Sequence, residues 1–148
     1  PQIGFIGCEP FINGTVKLLT QIADEDIKNI RVYTDDFRIL AKTIPDNSIE
    51  RAFILFPDPW PKAKHHKRRI VQENLLIMLA KVLKVGGIVR LATDHAEYGQ
   101  WIEGKFATQS AFKQVLKTHD APADHIITKY QQKGLAGNNP VFLEYQKI

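Results

Sequence analysis

AFILFPDPWPKAKHHKRR, residues 52–69, decides how the rest of the chain is read. Its first five residues, Ala52 to Phe56, are apolar without a break, the pattern of a strand covered on both faces in a parallel sheet. The run ends in Asp58, an acid between two prolines. Pro61 to Arg69 then hold five Lys/Arg, two His and no acid, in a chain of net charge +4. Without those five cations the remainder is −1, so the basic character is one local patch. An acid closing a buried strand beside a concentrated cationic loop points to polar chemistry on a polyanion.

Working outward, strand and helix alternate. Ile3 to Cys8 reads as a short buried strand. Asn13 is placed to cap a helix over about Gly14 to Ile22, with Val16, Leu18, Leu19 and Ile22 on its apolar face. Ile30 to Tyr33 is a second strand, closed by Thr34-Asp35-Asp36 and followed by a short helix carrying Phe37, Ile39 and Leu40. Residues 45–48 are turn chemistry. After the strand at Ala52–Phe56, an amphipathic helix is predicted over Glu73–Leu83, ended by Gly86-Gly87. Ile88 to Thr93 is a fourth strand with Asp94 at its carboxyl end, and Ala96 to Phe106 is a helix. Ala111–Leu116 and Pro140–Tyr145 are strand-like, with a helical or loop segment over Thr128–Leu135 between them. This order predicts an α/β Rossmann-like sheet, mostly parallel, closed by a C-terminal antiparallel strand pair.

The 148 residues are one domain's worth of chain, expected as a single domain over 1–148. Hydrophobic residues are 44% and charged residues 24%, a globular balance. No apolar stretch nears the ~20 residues of a membrane span. The lone Cys8 rules out an internal disulfide framework and, with the composition, leads to a cytoplasmic expectation. No metal-ligand spacing is visible; His65 and His66 are adjacent and without a third ligand nearby in sequence.

Glu9, Asp35, Asp58 and Asp94 all follow predicted strands. Ligands of open parallel sheets bind outside those carboxyl ends, and a carboxylate there accepts two hydrogen bonds from a ribose diol. Such acids also cap helices or face water, and both alternatives stay open on the sequence. The basic run is equally compatible with a solvated loop, but Trp60 directly precedes it and offers a base a stacking face. Arg68 and Arg69 are expected to clamp phosphate bidentately.

These residues resemble the bacterial tRNA (guanine-N7-)-methyltransferases, S-adenosylmethionine-dependent enzymes of the class I fold. The likeness rests on FPDPWPKAKHHKRR and extends to IGCEPF (6–11), TDD (34–36), VLKVGGIVRLATDHAEY (82–98) and TKYQQKG (128–134). It implies methyl transfer from S-adenosyl-L-methionine to N7 of a guanine in the variable loop of tRNA. It further implies that Glu9 binds the cofactor's ribose, that Asp35 and Asp36 lie at its adenine, and that Asp58 is the catalytic acid beside the methyl donor. Lys62, His65 and Arg68 are implied as tRNA contacts, and Asp94 with Thr128, Lys129, Tyr130 and Gln131 as the holders of the target nucleotide. Two departures stand out. Gln131 occupies a position where the family usually has Glu. Residue 1 lies just before the family's second strand, so the central first strand and its Gly-rich loop are expected to be missing and the chain N-terminally incomplete. An RNA-binding or inactive methyltransferase-like subunit remains the rival expectation. Monomer and homodimer are not distinguished.

Overall fold

The computed structural model describes residues 3–132 and 139–148; for Lys129 and Tyr130 it describes the backbone only. The described residues form two compact units, 1–44 and 45–148.

In the first unit, β1 (Phe5–Cys8) and β2 (Ile30–Tyr33) pair in parallel, joined by α1 (Ile12–Asp24). This βαβ unit is the one the sequence predicts, with altered edges. Asn13 is not the cap: α1 starts a residue earlier, with Phe11 at the cap position and no side chain capping it. Glu9 stiffens the entry instead, its Oε1 accepting from the Phe11 N–H at 2.8 Å. Leu18 of α1 packs near Gly7 of the strand, at ordinary contact distance, 3.9 Å, from where a Cβ would stand. The expectation that β1 is buried does not hold, since Phe5 and Ile6 are about half exposed. β1 has one hydrogen-bonded neighbour, β2. Asp36 then caps the short α2 (Phe37–Leu40), accepting from Arg38 N at 2.7 Å.

The second unit holds a four-stranded sheet in the order β3-β4-β6-β5: β3 (Ile49–Leu55), β4 (Leu83–Thr93), β5 (Phe112–Thr118) and β6 (Val141–Lys147). β3 and β4 are parallel, and β6 runs antiparallel to both β4 and β5. The last strand thus inserts between β4 and β5. The antiparallel closing pair is as predicted. Burial on both faces, expected of 52–56, belongs to β4 instead. Val89 to Thr93 are all buried, whereas Phe53 in β3 is half exposed. β4 has partners on both sides and β3 only one within its sheet.

Two helices cover this sheet. α3 (Glu73–Val82) buries Leu75, Leu76, Leu79 and Val82. α4 (Ala96–Ala107) buries Tyr98, Ile102 and Phe106, the i, i+4, i+8 row of one helix face, together with the adjacent Gly99. Phe106 stacks on Tyr145 of β6 at 3.7 Å between ring centroids. Gly86-Gly87 does not end α3. The chain passes from Val82 straight into β4, and the glycines form an irregularity within that strand. Gly86 has φ +83°, and a Cβ on Gly87 would lie 2.8 Å from the Lys84 carbonyl oxygen and 3.1 Å from that of Glu50. α5 (Lys129–Gln132) occupies part of the predicted 128–135 segment; residues 133–135 lie outside the described residues.

Two glycines of this unit should respond in opposite directions to alanine. Gly87→Ala drives a methyl into backbone carbonyls and should cost about 1–3 kcal/mol. Gly104, within α4, has nothing within 4 Å of an added Cβ, so Gly104→Ala should stabilise by about 0.5–1 kcal/mol. Urea unfolding of both variants measures this, and a stabilised Gly87→Ala would show the 83–88 turn to be misread.

Candidate active site

In the first unit the acids stand as the sequence places them, after the ends of two paired strands. Glu9 follows β1 and Asp35 follows β2, with Cys8 and Tyr33 as register partners. Adjacent strands are about 4.8 Å apart, so a pair of carboxylates there can address neighbouring groups of one ligand. Gly14 in the first turn of α1 gives Glu9 its room: a Cβ would lie 3.3 Å from Glu9 Cγ and 3.6 Å from Oε2. Asp35 Oδ1 accepts from Asp36 N. Asp36 differs. Its carboxylate takes both Nε and Nη2 of Arg38, and those hydrogen bonds hold it below the usual carboxylate range against the opposing effect of burial. Burial pushes the Cys8 thiol above its ordinary range, and the charge of Asp36 adds to it.

In the second unit Asp58 lies on an exposed loop that leaves β3. Phe56 N donates to Ala92 O at 2.8 Å, extending the β3–β4 ladder by one rung before the chain turns. Phe56 and Trp60 both have left-handed backbones, φ +51° and +43°. Neither is glycine, and each such residue costs on the order of 1–3 kcal/mol. Pro57 and Pro59 fix φ on either side of Asp58 and carry no N–H. Asp58 itself faces solvent. Burial pushes the Tyr98 hydroxyl above its usual range, and the charge of Asp58 acts in the same direction.

The basic run folds as a 3-10 helix over Ala63–Arg68 with Lys62 at its cap position. Three residues per turn sort its side chains into ridges. Lys62, His65 and Arg68 share one ridge. Along it, Arg68 lies over the Trp60 ring at 5.0 Å and His65 meets the same ring edge-on at 5.8 Å. Lys64 and Lys67 form a second, exposed ridge. His66 and Arg69 form the third, which turns inward. His66 packs edge-on against Trp101 at 5.3 Å.

Arg69 is therefore not a phosphate clamp. Its side chain is fully buried and bound within the protein. Nε donates to Pro59 O at 2.7 Å, while Nη1 and Nη2 donate to the two carboxylate oxygens of Glu97 at 3.0 and 2.5 Å. The rings of Tyr98 and Trp101 lie 5.0 and 4.8 Å from the guanidinium carbon. Trp101 is held in turn by its Nε1–H to Val71 O at 2.9 Å. By sequence, Glu97, Tyr98 and Trp101 are only parts of a helix; the sole hint there is aromatic residues at i and i+3 behind an acid in the first turn.

Asp94 follows β4 at the start of α4, where His95 caps the helix by accepting from Tyr98 N through Nδ1. Farther along, Thr128 Oγ1 accepts from Gln131 N at 3.2 Å, and the Gln131 amide oxygen sits 2.8 Å from His125 Nε2. His125 packs edge-on against Phe142 of β6. Asp124 beside it is tied to Arg90 of β4 at 2.7 Å, which also donates to Glu144 at 2.6 Å. The Thr128–Gln131 segment is thus moored to the central strands through residues that sequence alone does not single out. The side chains of Lys129 and Tyr130 lie outside the described residues. Among the described residues no cluster of three His, Cys, Asp or Glu side chains could hold a metal ion, and no helix is long and apolar enough to cross a membrane.

The sequence pattern of a family described as "Putative methyltransferase" matches residues 1–143. A tRNA (guanine-N(7)-)-methyltransferase of Caulobacter sp. strain K31 is 41% identical over the whole chain, which covers 67% of that relative. A protein of the same name from Paramagnetospirillum magneticum is 42% identical over 99% of the chain and 63% of its own length. The chain belongs to the tRNA (guanine-N7-)-methyltransferase family. It spans about two thirds of the length of these relatives, 63–67%. Solved structures confirm the class I methyltransferase fold. TrmN from Thermus thermophilus aligns over all of this chain and 37% of its own, with TM-score 0.70 at 15% identity. A putative methyltransferase from Streptococcus mutans in complex with SAH aligns over 98% of this chain and 76% of its own, with TM-score 0.61 at 14% identity.

The segment before α3 is tied through Arg69 to Glu97, an ionisable group. The hydrogen bonds from Arg69 hold the Glu97 carboxyl below its ordinary range, outweighing burial. A carboxylate depressed on folding stabilises the fold above its unfolded pKa, about 4.3, and that contribution is lost as pH falls through the lower folded value. Glu97→Gln should therefore be less stable than wild type at neutral pH and lose less on acidification. Chemical denaturation between about pH 6 and 3 measures it. Parallel curves for the two proteins would mean that the pair contributes nothing to acid stability.

Proposed function

We propose that this chain carries the methyl-transfer site of a cytoplasmic tRNA (guanine-N7-)-methyltransferase, with S-adenosyl-L-methionine as donor and a variable-loop guanine as acceptor. The observation that carries the reading is the second unit's loop. Asp58, exposed and with no ion-pair partner among the described residues, is presented on a turn four residues ahead in sequence of a ridge of Lys62, His65 and Arg68. That is a carboxylate set next to a polyanion grip, within a chain of this family.

The residues of the first unit fit the cofactor by their donor chemistry. Glu9 and Asp35 end neighbouring strands, and Gly14 leaves space around the Glu9 carboxylate. Glu9 would hold the ribose hydroxyls. Asp35, with the backbone of Asp36, would lie at the adenine; the Asp36 side chain is already committed to Arg38. When bound, the cofactor supplies a methyl group activated by the positive sulfur that bears it.

Guanine N7 has an in-plane lone pair at neutral pH, so the protein need not remove a proton before attack. Its work is placement of the acceptor in line with the donor, about 3 Å away. Methylation leaves positive charge on the purine, and a fixed carboxylate opposes it favourably. Asp58 fills that role by charge and orientation. Asp94, Thr128, Lys129, Tyr130 and Gln131 would hold the target base once it is unstacked. With its oxygen facing His125, the Gln131 amide presents N–H donors, suited to guanine O6, where a glutamate would instead accept from ring N–H groups. Lys62, His65 and Arg68 would grip the backbone, and Trp60 lies within the same cluster.

Asp58→Asn keeps the shape and removes the charge. It should fold normally and lose at least tenfold in kcat, about 1.4 kcal/mol of barrier, with KM little changed. Single-turnover methylation of unmodified tRNA by the natural gene product is the measurement. A rate within about threefold of wild type would remove Asp58 from the reaction.

The exposed cations give a separate check. Neutralising Lys62, Lys64, Lys67 and Arg68 together should weaken tRNA binding and flatten its salt dependence, by roughly 0.7–0.9 in the log–log slope for each phosphate left without its cation. Cofactor affinity should stay the same. An unchanged slope would identify the run as a solvated loop.

A further inference from the structure

We infer that Arg69 is a positioning residue for Asp58: the buried Arg69, paired with the half-exposed Glu97, clamps the far end of the strained loop that presents the Asp58 carboxylate. This inference rests on the role proposed for Asp58.

The loop has two ends and they are held differently. Its near end is an extension of the sheet, through Phe56 N–H to Ala92 O. Beyond Phe56 the chain leaves the ladder, and the two prolines have no N–H with which to rejoin it. The far end offers carbonyl oxygens. Arg69 takes the Pro59 carbonyl at 2.7 Å and lies 3.5 Å from that of Trp60 through Nη2. Those carbonyls belong to the two residues directly after Asp58. Left-handed conformations at Phe56 and Trp60 relax unless their surroundings hold them. A guanidinium bonded to the backbone on one edge and to a helix carboxylate on the other does so.

The helix end of the clamp is itself fixed. Glu97 lies in the first turn of α4, a helix whose Tyr98, Gly99, Ile102 and Phe106 are buried in the core. Tyr98 and Trp101 flank the guanidinium and tie down the next stretch of chain at Val71, through Val71 N–H to Tyr98 Oη and Trp101 Nε1–H to Val71 O. Arg69 is thus the bridge between a rigid helix and the loop, and with no exposed side-chain surface it cannot itself touch RNA. The planar fork is essential to that geometry. A lysine ammonium brings charge but cannot span a carboxylate and the loop carbonyls at fixed angles.

The natural gene product carrying Arg69→Lys provides the test, with two readouts. The first is kinetic. A loop displaced by an ångström costs up to about a hundredfold in rate, so kcat should fall ten- to a hundredfold. KM for tRNA and affinity for S-adenosylmethionine should stay within about threefold. The second is amide exchange in the 56–60 peptide, which should accelerate while that of β4 and α3 does not. Should Arg69→Lys fail to fold, Glu97→Gln carries the same test, since it keeps the side-chain shape and one acceptor for the guanidinium. Unchanged exchange at 56–60, or a fall in kcat matched by equal loss of cofactor affinity and global protection, would overturn the inference. The exchange readout needs no turnover. If the wild-type protein fails to methylate guanine N7, the functional proposal falls, and exchange at 56–60 still decides whether Arg69 holds the loop.

Discussion

A guanidinium removed from water must find partners for its N–H groups inside the protein, or its burial becomes a large penalty. Arg69 meets that requirement with a carboxylate, two loop carbonyls and two aromatic faces. Each partner is thereby constrained in turn. The carboxylate orients the first turn of α4, the carbonyls set the exit of the Asp58 loop, and the aromatics pin the segment that leads into α3. One buried charge links the helix α4 and the Asp58 loop. Removing Glu97 would leave the sealed guanidinium without its counter-charge, which costs more than losing a surface ion pair.

A similar division of labour shapes the basic run. A helix with three residues per turn divides its residues evenly among three faces, and here the faces have separate tasks. One packs against α4, one carries exposed lysines, and one aligns Lys62, His65 and Arg68 beside Trp60. The outer ridge and the Asp58 loop meet at Trp60, whose ring lies under Arg68 and whose carbonyl faces Arg69.

The moorings of the Thr128–Gln131 segment follow a related logic. Arg90 stands in the central strand β4 with 8% of its surface exposed, and it reaches out to Asp124 and Glu144. A long connection before the last strand is thereby fastened to the stiffest part of the sheet. His125 continues the connection to Gln131, so the amide's orientation is decided by a residue six positions away.

Much of this was readable from residues alone. Alternating apolar runs and helical periodicities located the described strands and the three longer helices, because burial imposes periods of 2 and 3.6 on any chain that forms them. Glu9, Asp35 and Asp94 follow strand ends as the alternating pattern places them, and Asp58 follows β3 through a proline-flanked loop. Exposure was not readable. Phe53 and Phe5 have the composition of core residues, yet they stand half exposed on strands with one partner each. Arg68 and Arg69 are adjacent and chemically the same, but one faces solvent and the other is sealed. Local sequence could not separate them, since the difference comes from Glu97, Tyr98 and Trp101, about thirty residues on, which only the folded chain brings around Arg69. Sequence determined which groups are present and how often they recur along the chain. Tertiary structure decided which of them meet water, because desolvation depends on what packs alongside, and distant segments supply that.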